Sequence, residues 1–124
     1  MDSSLSLLGI DVGKLWKAFP ASLAHLAGEI CARLGVKKVF KPSDIPLLEE
    51  IYSGPKYGAP SAVCLSAIRR LARLEGVLLD PVYTGKAFAG LLDLVEQRRL
   101  GTKEPIIFLH TGGLPALFAF ENYE

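Results

Sequence analysis

The sequence predicts an α/β fold, a three-layer arrangement in which a parallel sheet carries helices on both faces. Three observations carry this. Short apolar runs without polar alternation recur, as in Val77-Leu78-Leu79 and Ile106-Ile107-Phe108-Leu109, and such runs suit strands buried on both faces. Stretches with helical periodicity lie between them. Two segments rich in glycine and hydroxyls, Asp80–Lys86 and His110–Gly113, follow the apolar runs. In parallel sheets, ligands sit at those carboxyl ends.

Taken in order, Leu7-Leu8-Gly9-Ile10-Asp11-Val12 reads as a first strand. Leu23, Leu26, Ala27, Ile30 and Leu34 recur at helical spacing, and Gly35 is placed to end that helix. Residues 36–60 hold four prolines and two glycines and read as irregular, with a strand around Leu47–Tyr52. A helix is predicted from about Ser61 to Glu75, stopped by Gly76, then a brief strand over Val77–Leu79. Gly85 to about Gln97 is the next helix, with Phe88, Leu91, Leu92 and Val95 on one face. Ile106–Leu109 is a strand, Thr111-Gly112-Gly113 a tight turn, and Pro115 opens a last short helix.

Residues 1–124 read as a single, partial domain. Three firm strands are few for a sheet covered on both sides, and would leave an edge and an apolar helix face bare. The chain is therefore expected to be part of a larger domain. Half of its residues are hydrophobic and 22% are charged, ample for a core. With 14 basic and 13 acidic residues scattered along it, no basic stripe points to nucleic acid. No apolar run nears the roughly 18 residues of a membrane span, and the start carries no basic export signal. The expected location is the cytoplasm, with Cys31 and Cys64 as free thiols, since neither sits at metal or redox spacing. No metal site is expected.

Three segments are able to carry chemistry. In His110-Thr111-Gly112-Gly113-Leu114-Pro115, two glycines let backbone approach a ligand closely, and the Thr111 hydroxyl is able to meet a ring nitrogen. The plain alternative is a strand-to-helix turn whose glycines only relieve strain, with His110 bonding a nearby carbonyl. In Asp80-Pro81-Val82-Tyr83-Thr84-Gly85-Lys86, Tyr83 offers a phenol as acid, base or stacking surface, and Thr84 suits a helix N-cap. The alternative there is a capped helix start with a surface tyrosine and a solvated Lys86. Lys56-Tyr57-Gly58-Ala59-Pro60 is a third such corner, or a generic turn. His25 reads as a half-exposed helix residue.

Together these segments resemble the C-terminal region of the D-cysteine desulfhydrase and aminocyclopropane-carboxylate deaminase family, tryptophan-synthase-β-like enzymes that use pyridoxal phosphate. The residues that carry the resemblance are Glu75 to Ala87, Phe108 to Pro115 and Lys56 to Pro60. It extends over about residues 5–120 in order and spacing and is strongest over 75–118. The resemblance implies that Tyr57 and Tyr83 lie near a small amino-acid substrate as catalytic residues. It implies that Thr111, with Thr84, Gly112 and Gly113, lies on the cofactor, and that Thr111 faces the pyridine nitrogen. The deaminase branch reads Glu where Thr84 stands and Leu where Thr111 stands, so both departures favour the desulfhydrase-like branch.

Family members are much longer. Their Schiff-base lysine, the nearby serine and the phosphate-binding loop would lie upstream of this chain, and Lys86 is not the Schiff-base position. The expectation is the C-terminal third of a lyase that converts D-cysteine to pyruvate, ammonia and sulfide, inactive alone. An aminocyclopropane-carboxylate deaminase-like enzyme is the neighbouring alternative. A non-catalytic α/β module that binds a partner chain is the alternative from another class. Either an N-terminal partner chain or self-association is expected to cover the bare apolar faces.

Overall fold

The computed structural model describes residues 6–13, 15–48, 52–101 and 103–120. The chain divides into two compact units. One takes in Gly9 with Leu15–Leu48, the other Ile10 with the chain from Tyr52 onward.

In the first unit, helix α1 (Phe19–Arg33) has Pro20 in its first turn and ends as the sequence predicts. Gly35 adopts φ +73°, the Gly35 N–H donates to the Ala32 carbonyl at 3.1 Å, and the Val36 N–H reaches back to Cys31 at 2.8 Å. This glycine-terminated closure satisfies carbonyls the helix leaves open. Of its predicted apolar face, Leu26, Ile30 and Leu34 are exposed, and Ala24 alone is buried among the described helix residues. His25 is exposed. The strands β1 (Gly9–Ile10) and β2 (Leu47–Leu48) pair as a two-stranded sheet; β1 is far shorter than the 7–12 run suggests, and β2 is described as far as Leu48. Residues 49–51 lie outside the described part.

The second unit is built on two packed helices, α2 (Ala62–Glu75) and α3 (Thr84–Glu96). The Ser61 hydroxyl caps α2 by accepting from the Cys64 N–H at 3.2 Å, and Gly76 closes it at φ +67°. Both ends fall where the sequence puts them. The contact face of α3 does not. Its buried residues are Thr84, Gly85, Lys86, Ala89, Gly90 and Leu94, whereas Phe88, Leu91, Leu92 and Val95 are only partly buried. Proximity explains the rotation. A Cβ on Gly85 would lie 2.7 Å from Ile68 Cδ1 and 2.6 Å from the Asp80 carbonyl oxygen; one on Gly90 would lie 2.8 Å from Ile10 Cδ1. Small residues let the backbones approach, and the large ones flank the seam. Cys64, Ile68 and Leu79 form the core, with Leu65, Leu71, Phe88 and Phe108 against it.

Lys86 is buried, which rules out the solvated alternative. Its ammonium donates to the Ser53 carbonyl at 2.6 Å, and burial pushes its pKa down, opposed by the nearby Cys64 and Asp80. Both cysteines are free thiols. Burial pushes Cys64 up to about 11, with Lys86 pulling the other way.

Two predicted strands, Val77–Leu79 and Ile106–Leu109, form no ladder among the described residues. Leu79 is fully buried, but Leu78, Ile107 and Leu109 are 54%, 80% and 76% exposed. Runs apolar on both sides need a neighbour on each edge and a layer on each face. Among the described residues these have one side only, with Phe108 edge-on to Phe88 at 5.3 Å. The last predicted helix is a 3-10 helix over Leu114–Ala119 with Pro115 in its first turn. No helix of the described residues is long and apolar enough to cross a membrane.

Candidate functional site

The site lies wholly in the second unit, where the corner before α3 meets the turn after residue 109. An open cleft of about 390 Å³ has an apolar wall from Ile10, Val12, Ala87, Phe108 and Leu109. Its polar side is Tyr83, Thr84 and Thr111, with the backbone of Gly112 and Gly113. A larger groove along α2, between Ser66, Arg69, Arg70 and Arg73, is lined by that one helix and is a surface trough.

Asp80 organises the corner. Its side chain is fully buried. Oδ2 accepts from the N–H groups of Val82 at 2.8 Å and Tyr83 at 2.7 Å. Oδ1 accepts from the Thr84 N–H at 2.7 Å and the Thr84 hydroxyl at 2.6 Å. Burial alone would raise the Asp80 pKa, but the hydrogen bonds from Thr84, Tyr83 and Val82 outweigh it and hold it below the ordinary carboxylate value. The carboxylate thus satisfies the first free N–H groups of α3, the task the sequence assigns to Thr84 as N-cap. Thr84 is instead the first residue of the helix. Its hydroxyl donates to Asp80 Oδ1 and accepts from the Asp80 N–H at 3.1 Å. With its one proton committed, Thr84 has only a lone pair left for a ligand.

The glycine turn rests on the same carboxylate. Gly113 has φ +90°, and a Cβ there would lie 2.5 Å from Asp80 Oδ1. Gly112 has φ +108° with open space around it. Thr111, between His110 and these glycines, is exposed on the cleft. His110 bonds the Leu78 carbonyl through Nε2 at 3.1 Å, the neighbouring-carbonyl role read from sequence. Its Nδ1 also accepts from the Gly112 N–H at 3.1 Å.

Tyr57 and Tyr83 are brought together. Their hydroxyls are hydrogen bonded and their rings meet edge to face with centroids 6.1 Å apart. Both side chains are partly open to solvent, at 44% and 41%. The contact with Tyr57, followed by partial desolvation and the Asp80 charge, pushes the Tyr83 phenol above its ordinary pKa. One hydroxyl of the pair donates to the other.

The structure therefore gathers Tyr83, Thr84, Thr111, Gly112 and Gly113 at one cleft, with Tyr57 attached through Tyr83. Sequence reasoning missed Asp80 as the organiser. A usable signal is present, because an aspartate two to four residues before a helix start faces several unpaired N–H groups. Among the described residues, no three His, Cys, Asp or Glu gather as metal ligands.

A glycine-cradled cleft with an apolar wall, one uncommitted hydroxyl and a phenol pair suits a flat heteroaromatic ligand beside a small polar one. Residues 11–112 match the family of pyridoxal-phosphate dependent enzymes, and the chain belongs to that family. More closely, it is 48% identical over 114 residues to a D-cysteine desulfhydrase of Yersinia enterocolitica and 45% identical to one of Yersinia pestis. Each match covers 92% of this chain and 34% of the relative, so the chain spans about a third of their length. Among solved structures, an aminocyclopropane-carboxylate (ACC) deaminase homologue matches with a TM-score of 0.74 at 41% identity, over 86% of this chain and 31% of that one. The fold is thus that of the α/β pyridoxal-phosphate enzymes, as the sequence predicts, with two of its strands here unladdered.

Proposed function

We propose that this chain is the C-terminal portion of a pyridoxal-phosphate-dependent lyase that acts on D-cysteine or a closely similar small amino acid. The observation that carries the reading is the Tyr57–Tyr83 phenol pair beside the Thr111–Gly113 turn. The donor set fits the ring edge of the cofactor and the substrate. Thr111, Gly112 and Gly113 would hold the ring, with Thr84 offering only a lone pair. When bound, the cofactor supplies an electron sink for elimination. This chain's share is to place a neutral hydroxyl at the ring nitrogen, to wall off water with Ile10, Val12 and Phe108, and to hold a proton at Tyr83 Oη for the departing sulfur.

No lysine of the described residues lines the cleft, and Lys86 is turned inward onto Ser53. The purified chain with added pyridoxal phosphate is therefore expected to release no sulfide from D-cysteine above the free-cofactor background. A chimera tests the positive half of the proposal. Residues 11–120 would replace the matching third of the Yersinia enterocolitica relative, and the product should bind the cofactor and release sulfide. A folded chimera without cofactor absorbance would refute the site reading; one that turns over ACC and spares D-cysteine would move the substrate to the deaminase side.

The exposed runs at 77–78 and 106–109 support a partner. We propose that the upstream portion of such an enzyme covers them, in the same chain or in another. Alone, the chain is expected to associate: light scattering across a dilution series should give a mass that rises with concentration. A monomer with a cooperative melt at tens of micromolar would count for the independent-module reading.

A further inference from the structure

We infer that His110 is a positioning residue that sets the ligand-facing turn through one defined tautomer; this rests on the cofactor reading of the cleft. The imidazole makes two contacts at once. The Gly112 N–H lies 3.1 Å from Nδ1, and an N–H can only donate, so Nδ1 carries no proton. The Leu78 carbonyl lies 3.1 Å from Nε2, and a carbonyl can only accept, so Nε2 carries the proton. Only the neutral Nε2–H form satisfies both. A ring protonated on both nitrogens would set Nδ1–H against Gly112 N–H.

The placement gives this bridge its function. Leu78 lies two residues before Asp80, and Gly112 one residue after Thr111. The ring therefore ties the end of the 106–109 run to the end of the 77–79 run and bends Thr111 across its own backbone. Gly113, resting on the Asp80 carboxylate, makes the second attachment. Thr111 sits between the two attachments, so its place on the cleft is set by its neighbours. His110 itself is exposed and does not line the cleft. It acts through Thr111.

The test begins on the chain itself, without ligand. Nitrogen-15 spectra of the imidazole should give the Nε2–H tautomer, and the Gly112 amide should exchange slowly. His110→Phe should speed Gly112 exchange about three- to tenfold, the loss of one ordinary hydrogen bond. His110→Asn should restore it, because an asparagine oxygen reaches the amide two residues on, whereas His110→Gln should not. The Nδ1–H tautomer, or unchanged Gly112 exchange in His110→Phe, would overturn the inference. In the chimera, His110→Phe should lower kcat by the same factor with KM for D-cysteine unchanged, and His110→Asn, which keeps the Gly112 contact and loses the Leu78 one, should recover it in part. A chimera that binds cofactor and keeps full kcat in His110→Phe also overturns the positioning role. A chimera that binds no cofactor with His110 intact refutes the cleft reading alone, and the tautomer and exchange results still decide for or against the bridge.

Discussion

Asp80→Asn is expected to destabilise the fold more than any other isosteric change in the site, by about 3–5 kcal/mol. The two carboxylate oxygens each accept from two donors, so the group is symmetric in its demands. Asparagine keeps one acceptor oxygen. Whichever way its amide is turned, an NH2 group faces at least one backbone N–H at a buried position, either those of Val82 and Tyr83 or that of Thr84, whose hydroxyl must also reverse from donor to acceptor. Urea unfolding followed by circular dichroism should show the midpoint fall sharply; an unchanged midpoint would mean the corner is held by something other than Asp80. The pH dependence has a fixed sign. The folded pKa is depressed, so Asp80's contribution is fully present above the unfolded carboxylate value of about 3.9 and is lost as pH falls through the folded value. The gap between wild type and Asp80→Asn should close in that acid window and stay open at neutral pH.

Tyr83→Phe is the second. In the chimera it should reduce kcat for sulfide release about 10²- to 10⁴-fold, the range for losing a positioned acid, with a smaller change in KM. Tyr57→Phe should fall in the same direction. The double variant should be no worse than the worse single one, since the hydroxyls act through one shared hydrogen bond. The alkaline limb provides an independent check. Tyr57 is the main reason the Tyr83 phenol is raised, so removing the Tyr57 hydroxyl should move that limb to lower pH. A Tyr83→Phe chimera within twofold of its parent would remove the phenol from the proton path and leave it as a wall of the cleft.

The helices were legible because their ends carry local chemistry. Ser61 and Gly76 bracket α2, and Gly35 closes α1, through hydrogen bonds made within a few residues. The three loops were legible for a related reason, since glycine, proline and hydroxyls fix backbone direction locally. What sequence could not give was anything decided by distant partners. Ladders at 77–79 and 106–109 depend on neighbours that the described residues do not supply. The buried face of α3 turned on Gly85, a small residue that hydrophobic periodicity overlooks, against Ile68 of another helix, with Ala89 buried on the same helix. A solvated Lys86 is the plain alternative from sequence because a charge near a helix start usually is exposed. Its burial depends on the Ser53 carbonyl, 33 residues away. Thr84 looked like the cap because caps are sought at the boundary, and the acceptor came from four residues upstream.

The contact between Gly113 and Asp80 also constrains how this sequence can drift. Aspartate is the shortest side chain that offers two acceptor oxygens, and glycine is the smallest residue that can lie on it. Neither position can be relieved by a change at the other: a shorter acid does not exist, and any Cβ at 113 meets Oδ1 at 2.5 Å. The chain between the two includes the exposed stretch at Arg98, Arg99 and Gly101, which lies open to solvent. Relatives that keep this cleft are therefore expected to vary most in that connecting stretch, while 80 and 113 are inherited as an inseparable pair.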